Sequence, residues 1–288
     1  MHLGFSSMNN PSDPHPATLA KVLEERGFDS LWYGEHSHIP SAQKTPYPPG
    51  GEMPGPYKRM MDPYLSLMLA ANATSSLRLG TGIALLMERE LFSQAKTIAT
   101  LDRLSNGRVI VGTGVGWNQE AFENSNSHPF NKRYAVLRET VEATRVLWRE
   151  EESAYHGKYI QFNAVWSDPK PLQIGGPKIF MGAMGPLGRK HAAAWADGWY
   201  PVDVGMGDVA ESIASFREEV NAMGRDANGV EINIQIMDTT NLDRLKYYRD
   251  LGVERATIGV SIDVWDQPDA VMPMIDAYAK IIPDLESN

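Results

Sequence analysis

Residues 77–113, LRLGTGIALLMERELFSQAKTIATLDRLSNGRVIVGT, hold one complete strand–helix–strand unit. An apolar run at 77–83 precedes a helical stretch at 91–104, which Ser105-Asn106-Gly107 stops before a second apolar run at 109–113. Glycine just past a periodic stretch ends a helix because it adopts the left-handed conformation cheaply. Two short apolar strands around one helix predict a parallel βαβ unit.

The same alternation extends both ways. Upstream, strands at 3–6 and 30–34 alternate with helices at 17–26 and 63–73. Downstream, helices at 134–148, 187–196, 209–223, 242–251 and 270–282 alternate with strands at 178–182, 198–202, 231–236 and 255–260. Leu137, Val141, Thr144 and Trp148 share one helical face, as do Val209, Ile213, Phe216 and Val220. Eight strand–helix units in order predict an α/β fold, a single-domain (β/α)8 TIM barrel over residues 1–288. A doubly wound open sheet shares the local alternation, but the unit count and the lack of a Gly-rich turn after the first strand favour the barrel. Segments 35–62 and 150–176 are too long for ordinary connections and are expected as loops at the C-terminal mouth.

Of the 288 residues 42% are hydrophobic, enough for a large core, and there is no cysteine for a disulfide, thiolate ligand or thiol nucleophile. A net charge of −9 without a basic run argues against nucleic acid and anionic membranes as partners. No apolar stretch is long enough to span a bilayer, and the first residues lack a basic-then-apolar leader, so a cytoplasmic enzyme is expected.

Barrel chemistry sits at the C-terminal ends of strands. After the second strand stands Glu35-His36-Ser37-His38. Histidine beside a carboxylate suits proton transfer near neutral pH. A backbone-bonded capping histidine fits the same residues, and a metal site from Glu35, His36 and His38 is a weaker reading. Gly80-Thr81-Gly82-Ile83 follows the third strand, where a planar ligand can approach the backbone, or where helix and strand pack tightly. Gly112-Thr113-Gly114-Val115-Gly116-Trp117-Asn118 leaves bare backbone beside a flat indole wall. Gly182-Ala183-Met184-Gly185-Pro186-Leu187-Gly188-Arg189-Lys190 puts free amides and two cations at a helix start, an arrangement that suits a phosphate. An ordinary βα turn with exposed cations is the alternative there.

Taken together, these segments resemble the luciferase-like monooxygenase superfamily, in particular its branch using the deazaflavin coenzyme F420. The resemblance covers nearly the whole chain and is most specific at 27–36, at Thr100-Leu101-Asp102-Arg103-Leu104-Ser105-Asn106-Gly107-Arg108 running into Gly112–Trp117, and at Ala196-Asp197-Gly198-Trp199. It implies a hydride exchange between F420 and a small organic substrate, with His36 as proton donor or acceptor and Glu35 as an acidic neighbour near the deazaflavin's ring hydroxyl; the adjacent carboxylate is also expected to orient His36. It further implies a cis peptide bulge at Gly82–Ile83 behind the ring, and a ring flank of Gly114, Gly116, Trp117 and Asn118. The phosphate falls to Gly182, Ala183, Met184 and Gly185, assisted by Arg189 or Lys190. Relatives acting on sugar phosphates carry a glutamate at the Trp117 position and a tryptophan at the Pro40 position, so that substrate class is not expected here. FMN with a two-component monooxygenase activity is the alternative, and a non-catalytic flavin-binding protein a second. A homodimer is expected.

Overall fold

The computed structural model describes residues 1–237, 239–261 and 264–286. Along the chain lie β1 (His2–Ser7), α1 (Pro16–Glu25), β2 (Ser30–Tyr33), α2 (Pro63–Ala73), β3 (Arg78–Ala84), α3 (Leu91–Leu104) and β4 (Val109–Thr113). Next come α4 (Gln119–Ser125), α5 (Arg133–Arg149), β5 (Glu152–His156), β6 (Gln161–Trp166), β7 (Lys178–Met181), α6 (Pro186–Trp195), β8 (Gly198–Trp199) and α7 (Val209–Ala222). The last elements are β9 (Glu231–Gln235), α8 (Leu242–Asp250), β10 (Arg255–Ile258), α9 (Val271–Ala279) and α10 (Ile282–Glu286). Eight strands close a barrel in the order β1-β10-β9-β8-β7-β4-β3-β2, every pair parallel. The expected (β/α)8 barrel is therefore the fold.

The strands are buried on both faces, which is why they read as apolar runs rather than alternating ones. Outward residues such as Leu31, Val111 and Ile179 pack under the helices, while Trp32, Ile110, Phe180 and Tyr200 plug the barrel interior with Ile83 above them. A Cβ at position 80 would stand 2.3 Å from Trp32 Cδ2, so Gly80 is the space the indole fills. What packs on Gly80 is this interior indole and not a helix. Most helices start on a side-chain cap: Asp62 for α2, Glu90 for α3, Asn118 for α4, Asp208 for α7.

Segment 150–176 corrects the expectation of a mouth loop. β5 and β6 form an antiparallel hairpin outside the barrel. The segment joins the end of a helix to the start of a strand, so both its ends lie on the N-terminal face. There Asp102 accepts from the amides of Leu172 (2.8 Å) and Gln173 (2.9 Å). At the hairpin turn, Glu139 of α5 receives the amides of Tyr159 and Ile160. The closing helix also differs: it breaks after Ala279, and α10 begins at Ile282 with Pro283 in its first turn, where proline's missing N–H costs nothing.

Candidate active site

β2 runs into Gly34-Glu35-His36 at the mouth, and the two polar side chains take different surroundings. Glu35 is buried; its Oε2 accepts from the Leu85 amide at 2.8 Å and its Oε1 pairs with Arg89. Arg89 also holds Asp62 at 2.6 Å, and its guanidinium lies 4.9 Å from the Tyr64 ring centre. Glu35 thus locks the start of α3 to the start of α2 and does not orient His36. That corrects the expected pairing, because an arginine five residues beyond the end of β3 captures the carboxylate first.

His36 is largely buried, and among the described residues its Nδ1 has no hydrogen-bond partner. Desolvation, then the nearby His38, lower its pKa from 6.5 to about 4, so the imidazole is neutral at pH 7. Its ring lies edge-on to Tyr57 (5.4 Å) and Trp117 (6.1 Å), and Tyr47 closes the circle against both at 5.5 and 5.8 Å. Tyr47 and Tyr57 come from segment 35–62, which therefore covers the mouth. His38 is engaged elsewhere, with Ser37 Oγ and Asn124 Nδ2. Among the described residues Glu35, His36 and His38 do not gather into a metal-ligating group.

The Gly82–Ile83 peptide bond is cis and sits at a register break between β3 and β4. The Ile83 side chain lies between two glycines: a Cβ at 114 would stand 2.2 Å from Ile83 Cδ1, and one at 182 would stand 2.7 Å from its Cγ2. Gly116 takes a φ of +65°, turning the chain to present Trp117. Asn118 spends its oxygen on capping α4 at Ala121 (2.8 Å), while its Nδ2 is buried without a partner.

At β7, Gly182 donates to Thr113 O, whereas no side chain caps the α6 N-terminus behind Gly185. A Cβ at Gly185 would meet nothing within 4 Å. Met184 is half exposed and packs on Gly205. Arg189 does not join this cradle: its Nε and Nη2 both bond Glu219 of α7, at 3.0 and 2.7 Å. Position 189 lies on the α6 face that packs against α7, so its expected phosphate role is withdrawn. Sequence reading also missed Glu88, whose Oε1 stands 3.5 Å from where a Gly116 Cβ would be. Burial, then Glu35, raise its pKa to about 7. An acid at the end of the third βα loop was the available signal.

The model of the luciferase-like monooxygenase family matches residues 8–259. The chain belongs to that family. A Mycobacterium tuberculosis protein described as uncharacterised is 36% identical over 266 residues, covering 90% of this chain and 92% of its own. The F420-dependent hydroxymycolic acid dehydrogenase of the same organism is 28% identical, covering 88% of this chain and 65% of its own. Among solved structures, an F420-dependent secondary alcohol dehydrogenase with an F420-acetone adduct superposes with a TM-score of 0.75 at 17% identity, over 99% of each chain.

In this luciferase-like barrel the residues present fit a phosphate-bearing planar cofactor. The uncapped α6 N-terminus suits the phosphate, since free amides and the helix dipole favour an anion. Ile83 offers an apolar support for a ring, and among the described residues the buried His36 Nδ1 and Asn118 Nδ2 have no hydrogen-bond partner. Among the described residues no helix is long and apolar enough to cross a membrane.

Proposed function

We propose that this chain is an F420-dependent oxidoreductase that moves a hydride between the deazaflavin and a small organic substrate. The observation that carries the reading is His36: neutral, largely buried, unpartnered at Nδ1 and enclosed by aromatic rings at the end of β2. A relative and two similar solved structures named as F420-dependent dehydrogenases and an F420-dependent reductase support the cofactor. When bound, F420 supplies two-electron hydride chemistry at a ring carbon that reacts poorly with oxygen.

The chain's own residues do the rest. Gly182, Ala183, Met184 and Gly185 hold the phosphate on the α6 N-terminus. Ile83 supports one ring face, with Gly82, Gly114, Gly116 and Trp117 along its flank. His36 accepts the hydroxyl proton at Nδ1 when an alcohol is oxidised and returns it when a carbonyl is reduced. Tyr47 and Tyr57 close over the mouth and keep water out. Titrating F420 into the protein tests the reading through quenching of its fluorescence. Saturation at micromolar cofactor is expected, and none at that concentration would overturn it.

FMN is the second reading, favoured by a likeness to a riboflavin lyase solved with modified FMN, at a TM-score of 0.66 and 17% identity. A parallel titration with FMN separates the two. The homodimer belongs to the same proposal, since α2 exposes Leu65 and Leu69 to solvent. Sedimentation gives its answer.

A further inference from the structure

The chain leaves β1 through a residue that the site above does not use. Asn10 is 1% exposed, yet among the described residues neither its Oδ1 nor its Nδ2 has a hydrogen-bond partner. Its backbone is fully engaged: the amide donates to Asp13 Oδ2 (2.9 Å), and the carbonyl accepts from the Asp13 amide (3.0 Å). Ser7 Oγ donates to the same Asp13 oxygen at 2.9 Å, so the turn is anchored to the end of β1. Burying a carboxamide with neither end bonded is costly, and folded chains keep such a group where a ligand or a water supplies the partners.

The position of Asn10 favours a ligand. β1 and β2 are parallel neighbours, with Ser6 opposite Trp32 and Ser7 opposite Tyr33. Carried forward three residues, that register brings Asn10 to the level of His36 at the barrel mouth. Parallel neighbours stand about 4.8 Å apart, a gap that one small ligand group spans. The end of segment 35–62 ties the two chains together at this height. Asn9, which turns the chain at φ +57°, donates from Nδ2 to the Met61 carbonyl (3.0 Å) and accepts the Met61 amide at its own carbonyl (2.9 Å). Met60 packs on β2, where a Cβ at Gly34 would stand 3.1 Å from its Cε. One dipeptide thus touches both the residue before Asn10 and the residue two before His36. Asn9 is spent on that tie, and Asn10 is left with its carboxamide free.

We propose that Asn10 is a second substrate-binding residue of this site, its carboxamide and His36 Nδ1 holding the same substrate oxygen. This rests on the oxidoreductase reading above. When an alcohol is oxidised, its O–H proton passes to His36 Nδ1 and its C–H hydride to the oxidised deazaflavin, leaving the carbonyl. Asn10 Nδ2–H donates to the oxygen throughout, as hydroxyl and as carbonyl. A carboxamide does not titrate, so Asn10 steadies the charge that develops on oxygen and leaves the proton to His36.

Three measurements on the full chain test the assignment. In urea without ligand, N10L should unfold at the wild-type midpoint or above it, because it removes an unpaired buried carboxamide. A lowered midpoint would mean that the fold itself satisfies Asn10, and would overturn the proposal. N10D places a carboxylate beside His36. Its imidazole NMR titration, identified by the signal lost in H36N, should rise from about 4 by about 1–3 pH units, the effect of a nearby opposite charge. An unmoved titration would show that the two residues do not face one another. With F420H2 and a panel of small ketones and aldehydes, N10L should lose roughly 10–100-fold in kcat/KM, mainly in kcat, while F420 affinity stays within about twofold. Wild-type kcat/KM in N10L would overturn the proposal alone. A wild type that binds no F420, or reduces no member of the panel, would overturn the oxidoreductase reading with it.

Discussion

The carboxylate of Glu35 is paired with the guanidinium of Arg89, and the same guanidinium reaches Asp62 at the cap of α2. Three segments far apart in sequence thus meet at one buried charge pair behind the mouth. Removing Arg89 strands Glu35, whose side chain is only 3% exposed. R89A should cost about 3 kcal/mol in urea denaturation, the lower end for an uncompensated buried charge. E35Q keeps an acceptor for the Leu85 amide and should cost about 1–2 kcal/mol. If both variants unfold at the wild-type midpoint, the pair is not structural.

His36 gives a pH signature. Its pKa falls from 6.5 to about 4 on folding, through desolvation first and His38 second. The unfolded chain therefore binds this proton before the native one does. The His36 contribution is complete above about pH 6.5, declines as pH falls to about 4 and is flat below that. Unfolding free energies of wild type and H36N should diverge in wild type's disfavour between pH 7 and pH 4; a constant gap would refute the neutral, desolvated imidazole.

Catalysis should separate His36 from binding. H36A is expected to lower turnover about 10²–10⁴-fold, the range for a lost general acid or base, with F420 affinity changed only a few-fold. A non-catalytic binding protein would show neither activity in wild type nor loss in the variant.

Gly114 and Ile83 should be coupled. An alanine methyl at 114 would overlap Ile83 Cδ1 and drive the side chain toward the ring position. G114A should weaken F420 at least tenfold, and I83A in the same chain should recover most of it, so a double-mutant cycle should be strongly non-additive. Additive losses would mean that Ile83 does not support the cofactor.

Arg189 should matter to stability alone. R189Q breaks its two bonds to Glu219 and is expected to cost about 1 kcal/mol, with F420 affinity unchanged. A tenfold weaker cofactor would return Arg189 to the phosphate site.

Much of the fold was legible from residues 77–113, because strands buried on both faces leave uninterrupted apolar runs and helices keep their stripes. The bounds of α2, α3 and β4 coincide with those read from the sequence. The hairpin β5–β6 was not legible: most of its residues are exposed or half-buried, so it carries no strong apolar pattern. The string 100–108, one of those that carry the resemblance, forms a clamp on the N-terminal face. There Asp102 holds 172–173, and Arg108 donates to the carbonyls of Ala71, Thr74 and Leu77.

Local order along the chain determined the barrel, the glycine-rich mouth and the free helix start after Gly185, since propensity, apolar period and missing side chains are properties of short segments. Partnership was decided only in three dimensions. Glu35 and His36 are adjacent residues, yet Arg89 takes the first and an aromatic enclosure from two loops takes the second. Arg189 turned to Glu219, and the segment read as a mouth loop brings Tyr57, with Tyr47 behind it, against His36. Coulomb energy and desolvation depend on distance through space, and the sequence records only distance along the chain.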